Sequence, residues 1–206
     1  MIAIVDYGMG NLHSVAKGLE RVGAQVAVTR DAAAVRAADQ VVLPGVGAFR
    51  DCMTNLEAYD LRDAVAERLR GDRPFLGICL GFQLLFERSH EFGIHPGFGR
   101  LRGEVVPFPA DLREDDAPLK VPHMGWNTVQ SRGDNPLLMG IPAGATFYFC
   151  HSYYARAADK ATIAATCHYG IDFACMAHDG NLFGVQFHPE KSQRWGLKLL
   201  ENFARL

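Results

Sequence analysis

The first half of the chain alternates short apolar runs with stretches in which apolar residues recur every three or four positions. Residues 2–5 read as a buried strand, and apolar positions between 12 and 22 follow at helical spacing. The same reading predicts strands at 24–29, 40–43 and 74–78 and helices over 48–71 and 81–88. Such alternation is typical of an α/β fold with a mostly parallel central sheet flanked by helices.

After about residue 95 the pattern changes to short apolar runs separated by Gly and Pro. It predicts further strands at 105–107, 128–129, 146–149, 162–167, 173–177 and 182–187, with a hairpin turn at 178–181. The acidic stretch 111–118 reads as an exposed loop, and Ser192 is expected to cap a final helix running towards Leu206. No linker or repeat divides the sequence, so a single domain is predicted over residues 1–206.

Composition narrows the classes of function. The formal net charge is −2 and Lys and Arg are scattered, so neither nucleic acid nor an anionic membrane is an expected partner. The amino terminus lacks the basic start of a signal peptide, and no apolar stretch has the length of a membrane span. The five cysteines form no CxxC pair, which favours a reducing cytoplasm over a disulfide framework. No HExxH motif or Cys/His cluster appears, and we expect neither a metal nor a cofactor.

The strongest chemical signal is Cys79, which stands between Gly77 and Gly81 after a predicted strand and before a predicted helix. This is the context of a nucleophile elbow, in which flanking glycines allow a tight, strained turn that projects the central side chain above the sheet. Backbone N–H groups at the start of the helix would favour the thiolate. The competing interpretation is a buried structural cysteine, which is the usual role of this residue type.

His188 and Glu190 are the expected partners of such a nucleophile. His188 follows an apolar strand, and Pro189 ends strand pairing, so the ring should lie at the rim of the sheet. If the extended backbone continues, Glu190 projects to the same side and can orient the imidazole, as the acid of a catalytic triad does. The alternative is a solvated His and Glu without a catalytic role.

An acyl-transfer site also requires hydrogen-bond donors for the developing oxyanion. Gly45, Val46 and Gly47 follow a predicted strand, and the glycines leave backbone N–H groups free to approach a ligand. The N–H of Leu80, directly after the nucleophile, is a second candidate. Gln83 lies one helical turn after Cys79, where its amide could meet substrate.

Together these segments resemble the class I, triad-type glutamine amidotransferases. The resemblance rests on residues 77–83 and 187–190, and it runs from end to end in family order. It implies a flavodoxin-like amidotransferase fold and hydrolysis of glutamine through a thioester on Cys79. It also places Gly47 and Gln83 in the glutamine pocket.

Further segments narrow the resemblance to the members that supply ammonia for imidazole glycerol phosphate synthesis in histidine biosynthesis. They are residues 6–12, 44–47, 122–127, 147–154 and 188–192. The resemblance implies a heterodimer with a (β/α)8-barrel cyclase that receives ammonia through a protected channel and makes imidazole glycerol phosphate and AICAR. On the same basis, the expected interface residues are Asn11, Trp126, Tyr148 and Lys191. His123 and His151 are interpreted as structural histidines.

Three other readings remain open from sequence. One is a glutaminase subunit serving pyridoxal phosphate, anthranilate or carbamoyl phosphate synthesis, against which residues 7–12 and 122–127 argue. Another is a stand-alone cysteine hydrolase on a similar sheet. The third is a noncatalytic scaffold, which is disfavoured because both the nucleophile and the base are present.

Overall fold

The computed structural model describes residues 1–115 and 117–206. Its strands are β1 (Ile2–Val5), β2 (Val26–Thr29), β3 (Gln40–Gly45), β4 (Phe75–Cys79), β5 (Phe86–Ser89), β6 (His95–Pro96), β7 (Leu101–Pro107), β8 (Arg113–Glu114), β9 (Ala117–Pro118), β10 (His123–Thr128), β11 (Gln130–Ser131), β12 (Thr146–His151), β13 (Tyr153–Ala157), β14 (Ile163–His168), β15 (Asp172–Asp179) and β16 (Leu182–Val185). The helices are α1 (Leu12–Arg21), α2 (Ala32–Ala37), α3 (Phe49–Ala58), α4 (Arg62–Arg70), α5 (Leu80–Gln83) and α6 (Gln193–Ala204), with short 3-10 turns at Pro136–Leu138, Lys160–Thr162 and Pro189–Lys191.

One large sheet organises the fold. Strands β2, β1, β3, β4 and β16 pair in that order and run parallel. From β16 the sheet continues through antiparallel pairings to β15, β13 and β7. At the far edge β7 pairs parallel with β5, and β5 pairs antiparallel with β6. A separate two-stranded sheet pairs β10 with β12. The predicted α/β fold with a mostly parallel first half and added antiparallel strands is therefore confirmed.

Two apolar layers cover the faces of this sheet. On one face α1 and α6 pack through buried residues such as Leu19, Leu199 and Phe203. On the other face α3 and α4 contribute residues such as Leu56 and Val65. Because β1, β3, β4 and β16 are buried along their whole length, they read in the sequence as continuous apolar runs without alternation.

Three local predictions differ from the structure. The helix expected over 81–88 ends at Gln83, because Phe86 is fully buried and begins β5, which pairs with β7. Ser192 does precede α6, but its hydroxyl makes no capping bond to that helix. In the predicted loop 111–118, residues 113–114 pair with 117–118 as β8 and β9, while Asp116 lies outside the described residues.

The junction between β4 and α5 is packed so closely that glycine is required. A Cβ added at Gly81 would lie 1.9 Å from the carbonyl oxygen of Leu43 on β3. A Cβ at Gly184 on β16 would lie 2.2 Å from the Phe82 ring. The backbones of α5 and β3 therefore approach more closely than a side chain at position 81 permits, and the Phe82 ring fills the space that a side chain at position 184 would need.

We predict that Gly81→Ala lowers the free energy of unfolding by about 3 kcal/mol, since the added methyl group must displace strand backbone. Gly71→Ala is the matched control. Gly71 ends α4 with φ −84°, and the nearest atom to an added Cβ is 3.6 Å away. Urea unfolding of both variants measures the difference, and equal midpoints would contradict the packing argument.

Candidate active site

The carboxyl ends of three neighbouring parallel strands bring distant parts of the chain together. Gly45 at the end of β3 is in register with Cys79 at the end of β4. On the other side of β4, Val185 at the end of β16 is in register with Ile78. Segments that follow these strands therefore meet at one edge of the sheet, which is the usual location of ligand sites in open α/β folds.

Cys79 adopts the strained conformation expected of a nucleophile elbow. Its backbone has φ 55° and ψ −110°, a region that costs a non-glycine residue about 1–3 kcal/mol. The neighbouring glycines make the turn possible, since a Cβ at Gly77 would lie 2.7 Å from the carbonyl oxygen of Gly81. The turn places the thiol in the wall of a cavity at the sheet edge.

His188 connects the nucleophile to Glu190. Its Nδ1 lies 2.9 Å from Oε1 of Glu190, and the two side chains are only 4% and 1% exposed. The ring also lies close enough to the Cys79 side chain for that group to raise the pKa of the imidazole. The three groups that the sequence analysis selected are therefore in direct contact, in the order nucleophile, imidazole and carboxylate.

The backbone reaches this arrangement differently from the sequence expectation. Residues 189–191 form a 3-10 turn in place of extended chain, yet Glu190 still meets the ring. The His188 N–H donates to the carbonyl of Tyr148 at 2.9 Å. The Ser192 hydroxyl donates to the carbonyl of His188 at 2.6 Å and accepts from the N–H of Tyr148 at 3.0 Å. Ser192 therefore fixes the backbone of the histidine, which explains why its hydroxyl does not cap α6.

Electrostatics favour a charged imidazole. Burial by itself would lower the pKa of His188, but the hydrogen bonds and negative charges of Cys79 and Glu190 outweigh burial and raise the pKa to about 10. An imidazolium between a sulfur and a carboxylate is the state from which a thiolate can attack.

The cavity beside Cys79 has a volume of about 320 Å³, which is enough for an amino-acid side chain and its backbone groups. Val46, Gly47, Leu80 and Gln83 line it, as the sequence analysis expected of residues near the substrate. Gly45 is the last residue of β3, where it is paired with Cys79. Residues 44–47 are called the oxyanion loop below.

The side chain of Gln83 makes hydrogen bonds within the protein that the sequence did not indicate. It is 4% exposed, and its Nε2 donates both to the Tyr153 carbonyl at 3.0 Å and to Oε1 of Gln186 at 2.9 Å. Both amide hydrogens are thus used within the protein. Gln186 in turn places its own Nε2 3.7 Å from the sulfur of Cys79.

Gln186 is the main site residue that sequence reasoning missed. The sequence offers a signal for it, because it is a polar residue within the apolar run 182–187, two positions before His188. In the structure it is fully buried directly after β16. Glu91 and Pro122 also line the cavity. Pro122 begins the segment 122–127 on which the resemblance rests, but neither residue was predicted as part of the site.

The expected interface residues fall into two groups. Trp126 on β10 is paired with Tyr148 on β12, and their rings meet edge to face at 6.1 Å. Lys191 lines the cavity and places Nζ 5.8 Å from the centre of the Tyr148 ring. These three residues thus share one surface next to the cavity. Asn11 precedes α1, where its carbonyl accepts the first helical hydrogen bond from Val15.

His123 and His151 have internal partners, in agreement with their structural interpretation. His123 Nδ1 lies 3.1 Å from His151 Nε2, and His151 Nδ1 lies 2.7 Å from the Tyr153 carbonyl oxygen. Asn127 Nδ2 lies 3.2 Å from the remaining nitrogen of His123. Burial lowers the pKa of His123 to about 4 and that of His151 to about 3, so both rings are neutral beside a charged His188.

Within residues 1–115 and 117–206, no group of three or more His, Cys, Asp or Glu side chains is arranged to hold a metal ion. No helix in the same ranges is long and apolar enough to cross a membrane.

Comparison with known proteins finds similarity along the whole chain. The family described as "Glutamine amidotransferase class-I" matches residues 3–206. The imidazole glycerol phosphate synthase subunit HisH of Syntrophotalea carbinolica is 51% identical over 204 residues, which cover 99% of both chains. The protein of the same name from Pseudomonas savastanoi pv. phaseolicola is 52% identical over 98% of this chain and 96% of its own.

Solved structures show the same architecture at much lower identity. A crystal structure titled as a glutamine amidotransferase superposes with a TM-score of 0.76 at 16% identity and full coverage of both chains. The structure of PurLQS from Thermotoga maritima gives a TM-score of 0.74 at 16% identity, covering 99% of this chain and 97% of that chain. At these identities the likeness is one of fold.

We predict that the pKa of His188 reports the interaction of its ring with Cys79. In ¹⁵N-histidine NMR spectra, His188 should remain protonated at about pH 8, while His123 and His151 are neutral at about pH 6. In Cys79→Ala the pKa of His188 should fall, because one hydrogen bond and one negative charge are lost. A His188 titration unchanged by this substitution would show that the sulfur and the ring do not interact.

Proposed function

Because the chain belongs to the class I glutamine amidotransferases and, within them, to the HisH subunits of imidazole glycerol phosphate synthase, we propose that it hydrolyses glutamine and delivers the ammonia to a cyclase subunit. The observation that carries the proposal is the contact of Cys79, His188 and Glu190 beside an amino-acid-sized cavity. Catalysis is assigned to these three residues.

The first half-reaction forms a thioester. The Cys79 thiolate attacks the carboxamide carbon of glutamine, and the carbonyl electrons move onto oxygen. When the tetrahedral intermediate collapses, the carbon–nitrogen bond breaks and the His188 imidazolium gives its proton to the departing ammonia. Glu190 keeps the ring oriented and compensates its charge throughout.

The second half-reaction releases glutamate. Neutral His188 takes a proton from water, the resulting hydroxide attacks the thioester carbon, and the sulfur leaves as thiolate. This step restores the imidazolium–thiolate pair from which the cycle began. The same histidine thus acts as acid and then as base, which agrees with its single position between the sulfur and the carboxylate.

Backbone N–H groups stabilise the oxyanion in both half-reactions. We assign this role to the oxyanion loop, through Val46 or Gly47, and to Leu80 directly after the nucleophile. All three line the cavity that contains Cys79. Gly45 supports them from the end of β3. Gln83 is assigned to the glutamine pocket as a wall residue and as a support for Gln186.

A second subunit must use the ammonia. At neutral pH free ammonia becomes mostly ammonium, which is not a nucleophile, so the acceptor has to adjoin the site of release. The relatives' printed name describes a subunit of a synthase. The partner proposed here is a (β/α)8-barrel cyclase resembling HisF, docked over Trp126, Tyr148 and Lys191, with Asn11 contributing from the start of α1. The relatives' name also favours this acceptor over those of pyridoxal phosphate, anthranilate or carbamoyl phosphate synthesis.

Replacing Cys79 by Ala tests the chemistry. In the complex with the cyclase, glutamine-dependent turnover should fall by at least about 10³-fold, because no thioester can form. Turnover with added ammonium salt should persist, since the cyclase site is untouched. Both are measured as imidazole glycerol phosphate formation from the same acceptor substrate.

Cys167→Ala serves as the control for this experiment, because Cys167 is a buried cysteine in β14 that does not line the cavity. It should retain glutamine-dependent turnover. Full glutaminase activity in Cys79→Ala would exclude the assigned nucleophile. Vigorous hydrolysis by the isolated wild-type chain, with no stimulation by a partner, would favour a stand-alone hydrolase.

The docking surface is tested separately by Trp126→Ala. Trp126 is 47% exposed, and buried aromatic residues dominate the affinity of many interfaces. We expect the dissociation constant for the cyclase to rise by at least about 30-fold, the equivalent of a 2 kcal/mol hot spot. Met139→Ala is the control, because Met139 is another exposed apolar residue, 68% exposed, that lies outside β10. This substitution should leave the dissociation constant unchanged. Equal affinities of both variants for the partner, measured by calorimetry, would place the interface elsewhere.

A further inference from the structure

Gln186 is a buried polar side chain beside the nucleophile that takes no part in the two half-reactions described above. It follows β16 directly, is 0% exposed, and does not line the cavity. Its backbone N–H donates to the Cys175 carbonyl of β15 at 2.8 Å, which fixes the residue at the edge of the sheet. Burying an amide is costly unless its polar atoms have partners, so the partners of Gln186 indicate what the residue does.

The orientation of the Gln186 amide follows from its neighbours. The backbone carbonyl of Tyr153 can only accept, so the Gln83 group 3.0 Å from it is the NH2 group. This NH2 group lies 2.9 Å from Gln186 and can only donate there, so the Gln186 atom that faces it is the carbonyl oxygen Oε1. The opposite orientation of either amide would place two donors face to face. The NH2 group of Gln186 therefore points away from Gln83.

The NH2 group of Gln186 faces the sulfur of Cys79. Its Nε2 lies 3.7 Å from Sγ, within the longer range over which sulfur accepts hydrogen bonds. Three hydrogen bonds thus run in one direction, from the sulfur back through Gln186 and Gln83 to the Tyr153 carbonyl. Sulfur accepts weakly as a thiol and more strongly as a thiolate, because the hydrogen bond then goes to a charged atom.

Apart from the triad partners, the titratable groups around the sulfur are Tyr7, Cys52, Glu91, Cys150, His151 and Lys191. Burial raises the pKa of Tyr7 and of Cys52 and lowers the pKa of His151, so these three groups are neutral. The thiol proton passes from Sγ to His188, and the pair has the same net charge before and after the transfer. A neutral donor at the sulfur therefore shifts the balance between the two forms towards imidazolium and thiolate.

We propose that Gln186 is a further catalytic residue, whose side-chain amide donates to the Cys79 sulfur and stabilises the thiolate, and that Gln83 positions this amide. The proposal rests on the glutaminase function assigned above, in which the thiolate begins the first half-reaction. Because Nδ1 of His188 is engaged with Glu190, the thiol proton goes to Nε2, and the amide favours this transfer. The donor is anchored at the sheet edge and is in place before substrate arrives.

The ultraviolet absorbance of the thiolate tests the interaction in the full chain. Subtracting the titration of Cys79→Ala in the same background isolates the signal of Cys79. Gln186→Met keeps the length of the side chain but removes the donor, so the pH of half-maximal thiolate absorbance should rise by about one unit. Burial raises the pKa of Cys52 and of Cys167 to about 12, so those thiols do not ionise in the same range. An unchanged titration would overturn the proposal.

Gln40→Met is the matched control. Gln40 is 7% exposed, and its Nε2 donates to the Phe203 carbonyl at 3.0 Å from the start of β3, away from the cavity. The substitution removes a buried amide of the same kind and should leave the titration of Cys79 unchanged. If Gln40→Met shifts the titration as much as Gln186→Met does, general loss of packing explains the effect and the proposal is refuted.

Gln83→Met tests the positioning of the amide. It should shift the thiolate titration in the same direction as Gln186→Met but by less, because the Gln186 amide remains and loses only the hydrogen bond that orients it. A titration identical to that of the wild-type protein would refute the role assigned to Gln83.

Turnover in the complex with the cyclase gives a second readout. Because Gln186 does not line the cavity, Gln186→Met should lower kcat for glutamine about tenfold at neutral pH and leave KM within about twofold. The deficit should shrink as the pH rises, since alkali forms the thiolate without help from the amide. Ammonia-driven turnover should not change. A deficit of the same size at every pH would contradict a role in thiolate formation.

A third measurement uses wild-type protein and does not depend on the folding of a variant. In ¹⁵N-glutamine spectra, one of the two side-chain amide protons of Gln186 should move downfield as the thiolate forms, while the Gln40 signals stay fixed. If wild-type protein hydrolyses no glutamine in any complex, the proposed function fails, and the thiolate titration and these spectra alone decide the role of Gln186. Gln186 signals that do not respond to ionisation of Cys79 would contradict that role.

Discussion

The site depends on one steric constraint, the absence of space between the β4–α5 junction and the strands on either side of it. Gly81 packs against the Leu43 carbonyl of β3, and Gly184 of β16 packs against Phe82. With the backbones so close, the chain can turn from strand to helix only through a strained residue, and Cys79 takes the positive φ. Stability and chemistry are thus linked, since the contacts that fix the junction also fix the direction of the thiol.

Electrostatics then divides the buried histidines into two kinds. His188 lies between Cys79 and Glu190, and their negative charges overcome the burial that would otherwise neutralise the ring. His123 and His151 are also buried, but they hydrogen-bond to each other, to the Tyr153 carbonyl and to the Asn127 amide and lie among aromatic rings, so burial lowers their pKa values. A positive charge is therefore stabilised at one position on this edge of the sheet, beside the sulfur.

The sequence predicted those features that are local or that repeat along the chain. The apolar runs predicted the buried parallel strands, and the glycines around Cys79 predicted the nucleophile elbow. The positions of Cys79 and His188 at the ends of predicted strands indicated that both lie at the rim of the sheet, with Glu190 beside the ring. The family resemblance, confirmed over residues 3–206, is the source of the predicted substrate class and of the predicted partner.

Features that depend on tertiary contacts could not be predicted in this way. The helix after Cys79 stops at Gln83 because Phe86 pairs with a strand that comes later in the chain. Ser192 has the composition of a helix cap, but its hydroxyl serves the backbone of His188 and Tyr148. Gln186 acquires its place in the site from a contact with Cys79, which lies 107 residues away along the chain. Local periodicity carries no information on such contacts.

The arrangement of the site also bears on why the chain functions as a subunit. The catalytic groups are buried, yet the cavity opens beside a two-stranded sheet, β10 with β12, whose outer residues Met124 and Trp126 are 60% and 47% exposed. Apolar groups of this size on one rim favour coverage by another protein. A cover placed there would close the cavity on the side where Lys191 and Tyr148 meet. It would exclude water from a site in which fixed N–H donors act most strongly when water is absent. On the function proposed above, docking of the partner and protection of the ammonia would be served by the same surface.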